Sequence, residues 1–525
     1  MKPPSGNPGE ALCRLGACGW ILVIAALIGV RFLHLGPVLD GPHQWRQADT
    51  AFCALAFYRY DFNILHPSVC WRGDYRLCAL EFPIHEFLTA ALYRVFGPQL
   101  IIARLVTLAF FVGSVWYLHR MVRHIAGERP AWIATTLYCA FPLGVVYSRA
   151  VHIDFSAVFF AHATLYYLLR TCDRPGLLDP ALATVLGVFA WIVKVPYVFY
   201  LYLPLAYYAL RLPWDARRLL RLTVPTLLAL LAFLAWRDYS YRINAGVPDW
   251  PYVDRMVNLG EWYFGPLRQR VRGANWVLIG RRLYEEVFCR YGLILLAPGI
   301  IGVALAPRPQ RWFWWSWAGG LAAYLLIFFN LNRVHDYYQI PFLALSAVFL
   351  ASGIVWLEDK LRERVPRGNK AVRAGTNTAV VAIAGALAWS SESVPGAYRV
   401  DELLQRAGAI VRKETAENAL VITSVHGQTA TNMPLLLYAA DRMGWSLPGE
   451  RVLEPGVLDA YKRAGAAYWV LVMPQPFPRP LVAEFGLPEP SHTEHLGRNW
   501  WINLFCFRND VPRPPPDGRS DAPKR

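Results

Sequence analysis

Charged residues are scarce in this sequence: Asp, Glu, Lys and Arg make up 17% of its 525 residues, against about 25% in soluble proteins. Hydrophobic residues make up 55%, and they are concentrated in long runs. Many of these runs approach the roughly 20 residues that a helix needs to cross a bilayer. The composition therefore excludes an ordinary soluble protein and predicts a polytopic membrane protein.

The motifs of several common chemistries are also lacking. No GxGxxG, P-loop, HExxH or GxSxG motif stands where it could carry chemistry. The nine cysteines are scattered without a CxxC pair or metal-ligand spacing, so we expect no cofactor and no metal site, with dependence on a divalent metal left open. Cys70 and Cys78 share one loop and could form a disulfide, but sequence cannot show the required geometry.

Basic charge is plentiful, with a formal net charge of +16. Much of it lies in short loops beside apolar runs, where anionic lipid head groups and the positive-inside rule explain it better than nucleic acid does. The first run resembles a signal peptide in outline, but the many runs that follow indicate a retained first helix.

Eleven membrane crossings are predicted. A proline in an apolar run of roughly 30 residues predicts that this run is two short helices meeting near Lys194 and Pro196. The other nine crossings are Gly16–Leu35, Leu100–Leu118, Ala131–Val146, Phe155–Leu169, Val224–Trp236, Leu293–Leu305, Trp312–Phe329, Phe342–Leu357 and Thr378–Ala388 with its flanks.

The basic loops set the orientation. With the N-terminus in the cytoplasm, the loops at 120–129, 170–174, 211–221, 307–311 and 360–373 all fall inside, as the positive-inside rule expects. The Lys194 break, the turn at 148–154 and the segment at 330–339 then fall outside. The chain should thus be an integral protein of the cell inner (plasma) membrane with an extracytoplasmic C-terminus.

The domain organisation follows from a change in composition near Tyr398. We expect a transmembrane domain over 1–394, with outer loops at 37–98 and 237–291. Short β-like runs at Ala419–Val425 and Ala467–Met473, separated by helical patterns, predict a small extracytoplasmic α/β domain over 395–509. The Pro- and charge-rich residues 510–525 are predicted to be a disordered tail.

The stretch Gly41–Ala51, GPHQWRQADTA, follows the first crossing and is densely polar. After Thr50 it leads into a predicted helix along the membrane surface. An acid at this boundary could serve as a base for a reaction on a lipid-borne substrate, whereas the plainer interpretation is a solvated loop with a helix cap.

Several ionisable groups are predicted to lie on the outer side: Asp49, Glu81, Arg149, His152, Asp154, Lys194, Arg333, His335 and Asp336. Such groups near membrane depth are functional candidates. The plainer interpretation of each is a structural ion pair or a snorkelling side chain, and for Arg149 or Arg333 taken alone this interpretation is favoured. Asp49 and Asp154, at the ends of different crossings, could converge on one cavity. A transfer reaction on lipid-linked molecules needs such a base, cations for a departing phosphate and an apolar groove.

Five motifs, taken in their order and on their side of the membrane, resemble those of the GT-C glycosyltransferases. They are HQWRQADTA, LEFPIHEFL, an outer Asp after the third crossing, WIVKVP and HDYYQIPF. The similar groups are bacterial relatives of protein O-mannosyltransferases and of the transferases that put aminoarabinose on lipid A. LLLYAADRMGWSL also resembles part of their C-terminal domain. The resemblance implies an all-α membrane bundle of about eleven helices with a small C-terminal α/β domain. It also implies a glycosyltransferase that moves a hexosyl or pentosyl group from a polyprenyl-phosphate donor, with inversion, on the outer face.

The resemblance also implies roles for particular residues. Asp49 matches the first-loop acid, as base or acceptor-orienting group, and Asp154 matches the second-loop acid. Glu81 matches the acid of the Glu-Lys-Pro motif of the lipid A enzymes, but Phe82 replaces the lysine, so the resemblance does not imply the same acceptor or phosphate contact here. The donor-phosphate region would contain Lys194, His335 and Tyr338. The full set of expected substrate-binding residues is Arg46, Glu81, Arg149, His152, Lys194, Arg333, His335, Tyr337 and Tyr338.

Two other functions are compatible with the sequence. Broken helices and membrane-depth charges also occur in transporters or flippases of lipid-linked saccharides, although those usually show paired repeats with a midplane site, and no internal repeat is visible here. The second alternative is a non-catalytic assembly or anchoring protein in which the outer domain is the working part. The expected partners are the lipid-linked donor, membrane lipids and a glycolipid, polysaccharide or protein acceptor.

Overall fold

The structure is a computed structural model that describes residues 8–365 and 369–507. It is mostly helical. Up to residue 399 its α-helices are, in chain order, α1 (Pro8–Gly29), α2 (Gln44–Arg59), α3 (Ile84–Phe96), α4 (Leu100–Ala126), α5 (Glu128–Ala140), α6 (Pro142–Tyr147), α7 (Asp154–Asp173), α8 (Leu178–Lys194), α9 (Pro196–Phe199), α10 (Tyr202–Leu210), α11 (Ala216–Ala245), α12 (Gly260–Phe264), α13 (Arg268–Val271), α14 (Gly273–Arg282), α15 (Cys289–Ile294), α16 (Leu296–Leu305), α17 (Arg308–Ile327), α18 (Phe329–Val334), α19 (Phe342–Arg364) and α20 (Asn369–Trp389).

The residues after 399 alternate between helices and strands. Their elements are α21 (Glu402–Glu414), β1 (Leu420–Val425), α22 (Leu435–Ala440), β2 (Met443–Ser446), α23 (Gly449–Val452), α24 (Val457–Arg463), β3 (Ala466–Met473), α25 (Arg479–Glu484), β4 (His492–Gly497) and β5 (Trp500–Cys506). The side chain of Asp401 caps α21 by accepting a 3.0 Å hydrogen bond from the backbone N–H of Leu404, which satisfies one of the unpaired donors of the first turn.

Within the described residues, five helical stretches are long and apolar enough to cross a membrane: Gly16–His34, Leu100–Ala126, Ala216–Ala245, Phe342–Arg364 and Asn369–Ser393. A bent pair, Gly273–Phe288 with Gly292–Leu305, would make a sixth. Among the other predicted crossings, Ala131–Val146 is divided between α5 and α6, and the apolar run around Lys194 is divided among α8, α9 and α10. The count of eleven crossings therefore stays a prediction.

The chain forms two compact units. The helical unit comprises the described residues of 1–42, 99–237 and 258–399, and the sheet unit comprises those of 43–98, 238–257 and 400–525. The sheet unit is thus assembled from three separate stretches of sequence, two of which were predicted as outer loops. The predicted tail at 510–525 lies outside the described residues.

The sheet unit contains a five-stranded sheet in the order β2-β1-β3-β5-β4. Strand β1 runs parallel to β2 and β3, while β5 runs antiparallel to β3 and β4. The strands predicted from β-branched runs at 419–425 and 467–473 match β1 and β3. The small C-terminal α/β fold is therefore confirmed.

The break predicted in the long apolar run is present in the helical unit. Helix α8 ends at Lys194, and Pro196 begins the short helix α9, because proline restricts the residue before it and lacks a backbone N–H. Lys194 is buried in protein. In the sheet unit, the possible disulfide is not formed, since Cys70 and Cys78 are both buried free thiols.

Candidate active site

Asp49 lies in the second turn of α2, which begins at Gln44 rather than after Thr50 as the sequence suggested. Its side chain is 9% exposed. The indole Nε1–H of Trp71 donates a 2.9 Å hydrogen bond to Asp49 Oδ1. The carboxyl group is therefore held inside the sheet unit, and the interpretation of this stretch as a solvated loop is wrong.

Burial raises the pKa of Asp49 from its ordinary value of 3.8 to about 7. The positive charges of Arg46 and Arg72 and the Trp71 hydrogen bond oppose this rise in pKa, whereas the negative charge of Glu81 adds to it. Burial likewise raises the pKa of Glu86, on α3, to about 7. A carboxyl group with a pKa near neutrality can both take and release a proton under physiological conditions.

Two of the predicted substrate-binding residues pair beside this acid in the sheet unit. Arg46 Nη2 lies 3.0 Å from Glu81 Oε2, and both side chains are only partly exposed. Arg46 stands one turn before Asp49 on α2, so its guanidinium acts on the electrostatic surroundings of both acids. The structure therefore brings Arg46, Asp49 and Glu81 together in the sheet unit.

The helical unit has its own cluster, centred on Asp154 at the start of α7. Lys194 Nζ lies 2.7 Å from Asp154 Oδ1. His152 contacts the other carboxylate oxygen, and the Tyr197 hydroxyl contacts Oδ1. Asp154 is fully buried and Lys194 is 7% exposed. A carboxylate held by a lysine, a histidine and a tyrosine is better suited to fixing other groups than to taking a proton itself.

Aromatic rings surround the ammonium group of Lys194. Its Nζ lies 4.7 Å from the ring centroid of Tyr197, 5.0 Å from that of Tyr337 and 4.5 Å from that of Tyr338. The imidazole of His335 stacks on the Tyr337 ring at 5.0 Å. We call Lys194, Tyr197, Tyr337 and Tyr338 the lysine cage. Cation–π contacts stabilise a buried ammonium charge that also pairs with Asp154.

The other two predicted arginines, Arg149 and Arg333, make structural contacts. Arg149 forms a bidentate pair with Asp40, at 2.7 and 3.1 Å, and its guanidinium lies over the Tyr398 ring. Arg104 binds the same carboxylate at 2.7 Å. Arg333 bonds to the Asn330 side chain. The ion pair between Arg149 and Asp40 agrees with the interpretation of Arg149 as part of a structural ion pair.

Asp336 accepts a hydrogen bond of 2.6 Å from the hydroxyl of Tyr147. The structure thus brings His152, Asp154, Lys194, His335, Tyr337 and Tyr338 together in the helical unit and Arg46, Asp49 and Glu81 together in the sheet unit. Because Asp49 and Asp154 belong to different units, their convergence on one cavity stays a prediction.

Three residues of these clusters were missed from the sequence. Tyr197 could have been found, because it lies three residues after Lys194, next to the proline that breaks the helix. Asp40 and Trp71 lie in irregular segments before and after α2, where only the fold reveals their partners. Among the side chains described in residues 8–365 and 369–507, no group of three or more His, Cys, Asp or Glu residues could hold a metal ion.

Comparison with solved structures identifies the architecture. Over 93% of this chain and 98% of theirs, two crystal structures of ArnT from Cupriavidus metallidurans superpose on it. The apo form has a TM-score of 0.57 at 15% identity, and the form bound to undecaprenyl phosphate has 0.58 at 14%. The chain has the GT-C fold. The resemblance drawn from sequence is confirmed at this level, and the chain is an integral membrane protein.

Two further comparisons agree with this fold. The archaeal oligosaccharyltransferase AglB from Archaeoglobus fulgidus, in complex with an inhibitory peptide and a dolichol-phosphate, matches with a TM-score of 0.56 at 11% identity over 86% of this chain and 69% of its own. A family model of dolichyl-phosphate-mannose-protein mannosyltransferases matches residues 81–237. No curated protein sequence matches the chain. The matched residues include Glu81, Asp154 and Lys194, which belong to the clusters described above.

Proposed function

We propose that this protein transfers a sugar from a polyprenyl-phosphate-linked donor to a hydroxyl of a cell-envelope acceptor on the outer face of the membrane, with inversion. The observation that carries the proposal is Asp49, a buried acid fixed by Trp71 and with a pKa of about 7. The fold supports the donor class, since ArnT binds undecaprenyl phosphate in one of its structures and AglB is in complex with a dolichol-phosphate.

In the proposed reaction, Asp49 takes the proton of the acceptor hydroxyl as its oxygen attacks the anomeric carbon of the donor sugar. A new carbon–oxygen bond forms on the face opposite the leaving group. The bond between the anomeric carbon and the phosphate oxygen breaks, and the polyprenyl phosphate leaves with the electron pair. A positioned carboxylate contributes about 10²–10⁴-fold to such a step.

The lysine cage is the group that we assign to the donor phosphate. Lys194 carries a fixed positive charge, and Asp154 together with three tyrosine rings holds its position. Charge-assisted hydrogen bonds to a phosphate are shorter and stronger than neutral ones, and they strengthen as negative charge develops on the leaving group. His335, stacked on Tyr337, is the second group that we place in this region.

One assay separates this proposal from the alternatives. The purified full-length protein in detergent is given a polyprenyl-phosphate sugar and a pool of envelope glycolipids, and the released polyprenyl phosphate is measured. A transferase releases it in proportion to new glycolipid. Flipping of an intact donor in vesicles without any release would instead support the transporter.

The pH dependence of the reaction is a direct test of Asp49. Below a pKa of about 7 the carboxyl group is protonated and cannot take a proton, so kcat/KM should rise with pH through about 7 and then level off. The Glu86→Gln variant is the matched control, because Glu86 is a second buried acid with a similar pKa; it should retain the rising limb. If the Glu86→Gln variant loses the rising limb of kcat/KM, the titration belongs to Glu86 and not to Asp49.

The same shift has a consequence for stability. The folded state binds the Asp49 proton more tightly than the unfolded chain does, because the pKa is raised on folding. This contribution to the free energy of unfolding is present below the ordinary pKa of 3.8 and is lost as the pH rises through about 7. We therefore expect the Asp49→Asn variant to lose less stability than wild type between acidic and neutral pH.

The proposed orientation has its own test. In this orientation the N-terminus lies in the cytoplasm and the sheet unit lies outside, and the positions of the basic loops support it. We therefore expect a reporter enzyme that works only outside the cytoplasm to be active when it is fused after Asn509. A reporter that works only in the cytoplasm should be inactive there. If only a reporter that works in the cytoplasm is active at this position, the proposed orientation is wrong, and the reaction cannot be assigned to the outer face.

A further inference from the structure

The first loop forms a hairpin, residues 67–78, that joins the edge of the C-terminal sheet. Within the hairpin, Val69 N–H donates to Arg76 O at 2.9 Å and Cys78 N–H donates to Pro67 O at 2.9 Å. At the edge strand β2, Gly444 N–H donates to Cys70 O at 2.9 Å, and Gly73 N–H donates to Gly444 O at 2.6 Å. The hairpin therefore adds an antiparallel backbone contact to the open side of β2.

Gly73 allows this contact to be close. Its φ is +57°, in the left-handed region, and a Cβ atom built there would lie 2.3 Å from the Trp445 ring. On its other side the hairpin is fixed by Arg72, which donates to Leu77 O at 2.7 Å and to the Asn244 side chain at 3.0 Å. The edge strand β2 and the buried side chain of Arg72 together fix the hairpin, and so they determine the direction of its side chains.

Trp71 lies between these two attachments. It is 2% exposed, and its ring belongs to an apolar core that contains residues of α2, α21, α22 and the sheet. Its Nε1–H reaches Asp49 Oδ1 at 2.9 Å. A buried indole N–H needs an acceptor, so the contact by itself would be explained by the needs of folding alone. The flanking residues Cys70 and Gly73, however, are hydrogen-bonded to β2, and this connects the position of Trp71 to the C-terminal sheet.

We propose that Trp71 is a positioning residue for Asp49, and that the C-terminal sheet acts in the reaction by holding Trp71 through the edge of β2. This rests on the proposed function, in which Asp49 is the base. The indole fixes Oδ1 and so leaves Oδ2 to receive the acceptor proton. The C-terminal domain, predicted only as an appended outer domain, thereby becomes part of the catalytic apparatus.

The test uses Trp71→Phe in the full-length protein, which keeps a large aromatic ring and removes the N–H. Trp469→Phe is the matched control, because Trp469 is fully buried in the same unit and donates a 2.9 Å hydrogen bond to Ser424 Oγ. Two quantities are measured: the pH midpoint of kcat/KM, and the protonation of Asp49 by difference infrared spectroscopy of isotope-labelled aspartate, with Asp49→Asn as the blank.

For Trp71→Phe we expect both midpoints to rise by about one pH unit, because a hydrogen bond to a charged group favours the ionised form. Activity at acidic pH should fall about tenfold and recover at alkaline pH. Trp469→Phe should change thermal stability by a similar amount without moving either midpoint. Gly73→Ala, which forces the hairpin away from Trp445 without altering Trp71, should move the midpoints in the same direction as Trp71→Phe.

The possible results distinguish a failure of the positioning role of Trp71 from a failure of the proposed function. Unchanged midpoints in Trp71→Phe, with only a loss of stability, would overturn the positioning role. Midpoints that move in Trp71→Phe but not in folded Gly73→Ala would overturn the part given to the sheet edge. An infrared midpoint that moves while transfer stays the same would support Trp71 as the residue that sets Asp49 ionisation and would overturn Asp49 as the base.

Discussion

Replacing Asp49 with asparagine is expected to lower kcat by about 10²–10⁴-fold, the range that a positioned general base contributes. Asparagine keeps the shape of the side chain, and its amide oxygen can still accept the Trp71 hydrogen bond. It removes the basic oxygen, so the acceptor hydroxyl must attack without assistance. Donor affinity, measured by equilibrium binding, should stay close to wild type. So should folding, measured by thermal unfolding in detergent at acidic pH, where the Asp49 carboxyl group is also uncharged.

The control for this experiment is Asp459→Asn, an exposed aspartate on α24 in the same unit, whose side chain is 66% exposed. It changes the same chemical group and the same net charge without touching a buried acid, and it should keep wild-type turnover. A wild-type rate in Asp49→Asn would end the assignment of Asp49 as base. Asp154→Asn is expected to weaken turnover less, because Asp154 acts through Lys194.

Replacing Lys194 with methionine is expected to have two separate effects. It leaves the buried Asp154 carboxylate without its lysine, and breaking a buried ion pair on one side costs about 3–5 kcal/mol of stability. It also removes the cation that we assign to the donor phosphate. Loss of a charge-assisted hydrogen bond of about 1.5–3 kcal/mol should weaken donor binding by roughly tenfold to a hundredfold.

The double variant Lys194→Met/Asp154→Asn distinguishes these effects. With the buried negative charge removed as well, the thermal stability should recover most of its loss, whereas donor affinity should stay low. If donor affinity recovers together with stability, Lys194 serves the fold and not the phosphate. If a stable Lys194→Met protein binds donor as wild type does, the assignment of the lysine cage to the phosphate fails.

Some features of the fold follow from local sequence. The break at Lys194 was predictable because a proline two residues later makes a continuous helix costly, and α8 ends there. Strands β1 and β3 were predictable because β-branched and aromatic residues cluster between turn signals. In both cases a few adjacent residues carry the information, so no distant partner had to be known.

Other features depend on contacts between distant residues. The pairing of Asp40 with both Arg104 and Arg149 joins parts of the chain that are 64 and 109 residues apart, and nothing in the sequence near Asp40 marks it. Arg149 alone could be a ligand or an ion pair on sequence grounds. The 238–257 segment was predicted as part of an outer loop, but its place in the sheet unit depends on buried contacts such as that between Arg72 and Asn244.

The first loop faces a delay during synthesis. Residue 70 is translated long before the sheet unit that it joins: Cys70 and Pro434, which touch in the folded unit, are 364 residues apart. At the usual elongation rate of about 5–20 residues per second, the hairpin waits roughly 20 to 70 seconds for β2 and its neighbours. During this interval the Trp71 ring and an open strand edge are exposed, a condition that favours mispairing. The first loop should accordingly reach its folded arrangement around Asp49 only after β2 and its neighbours have been synthesised.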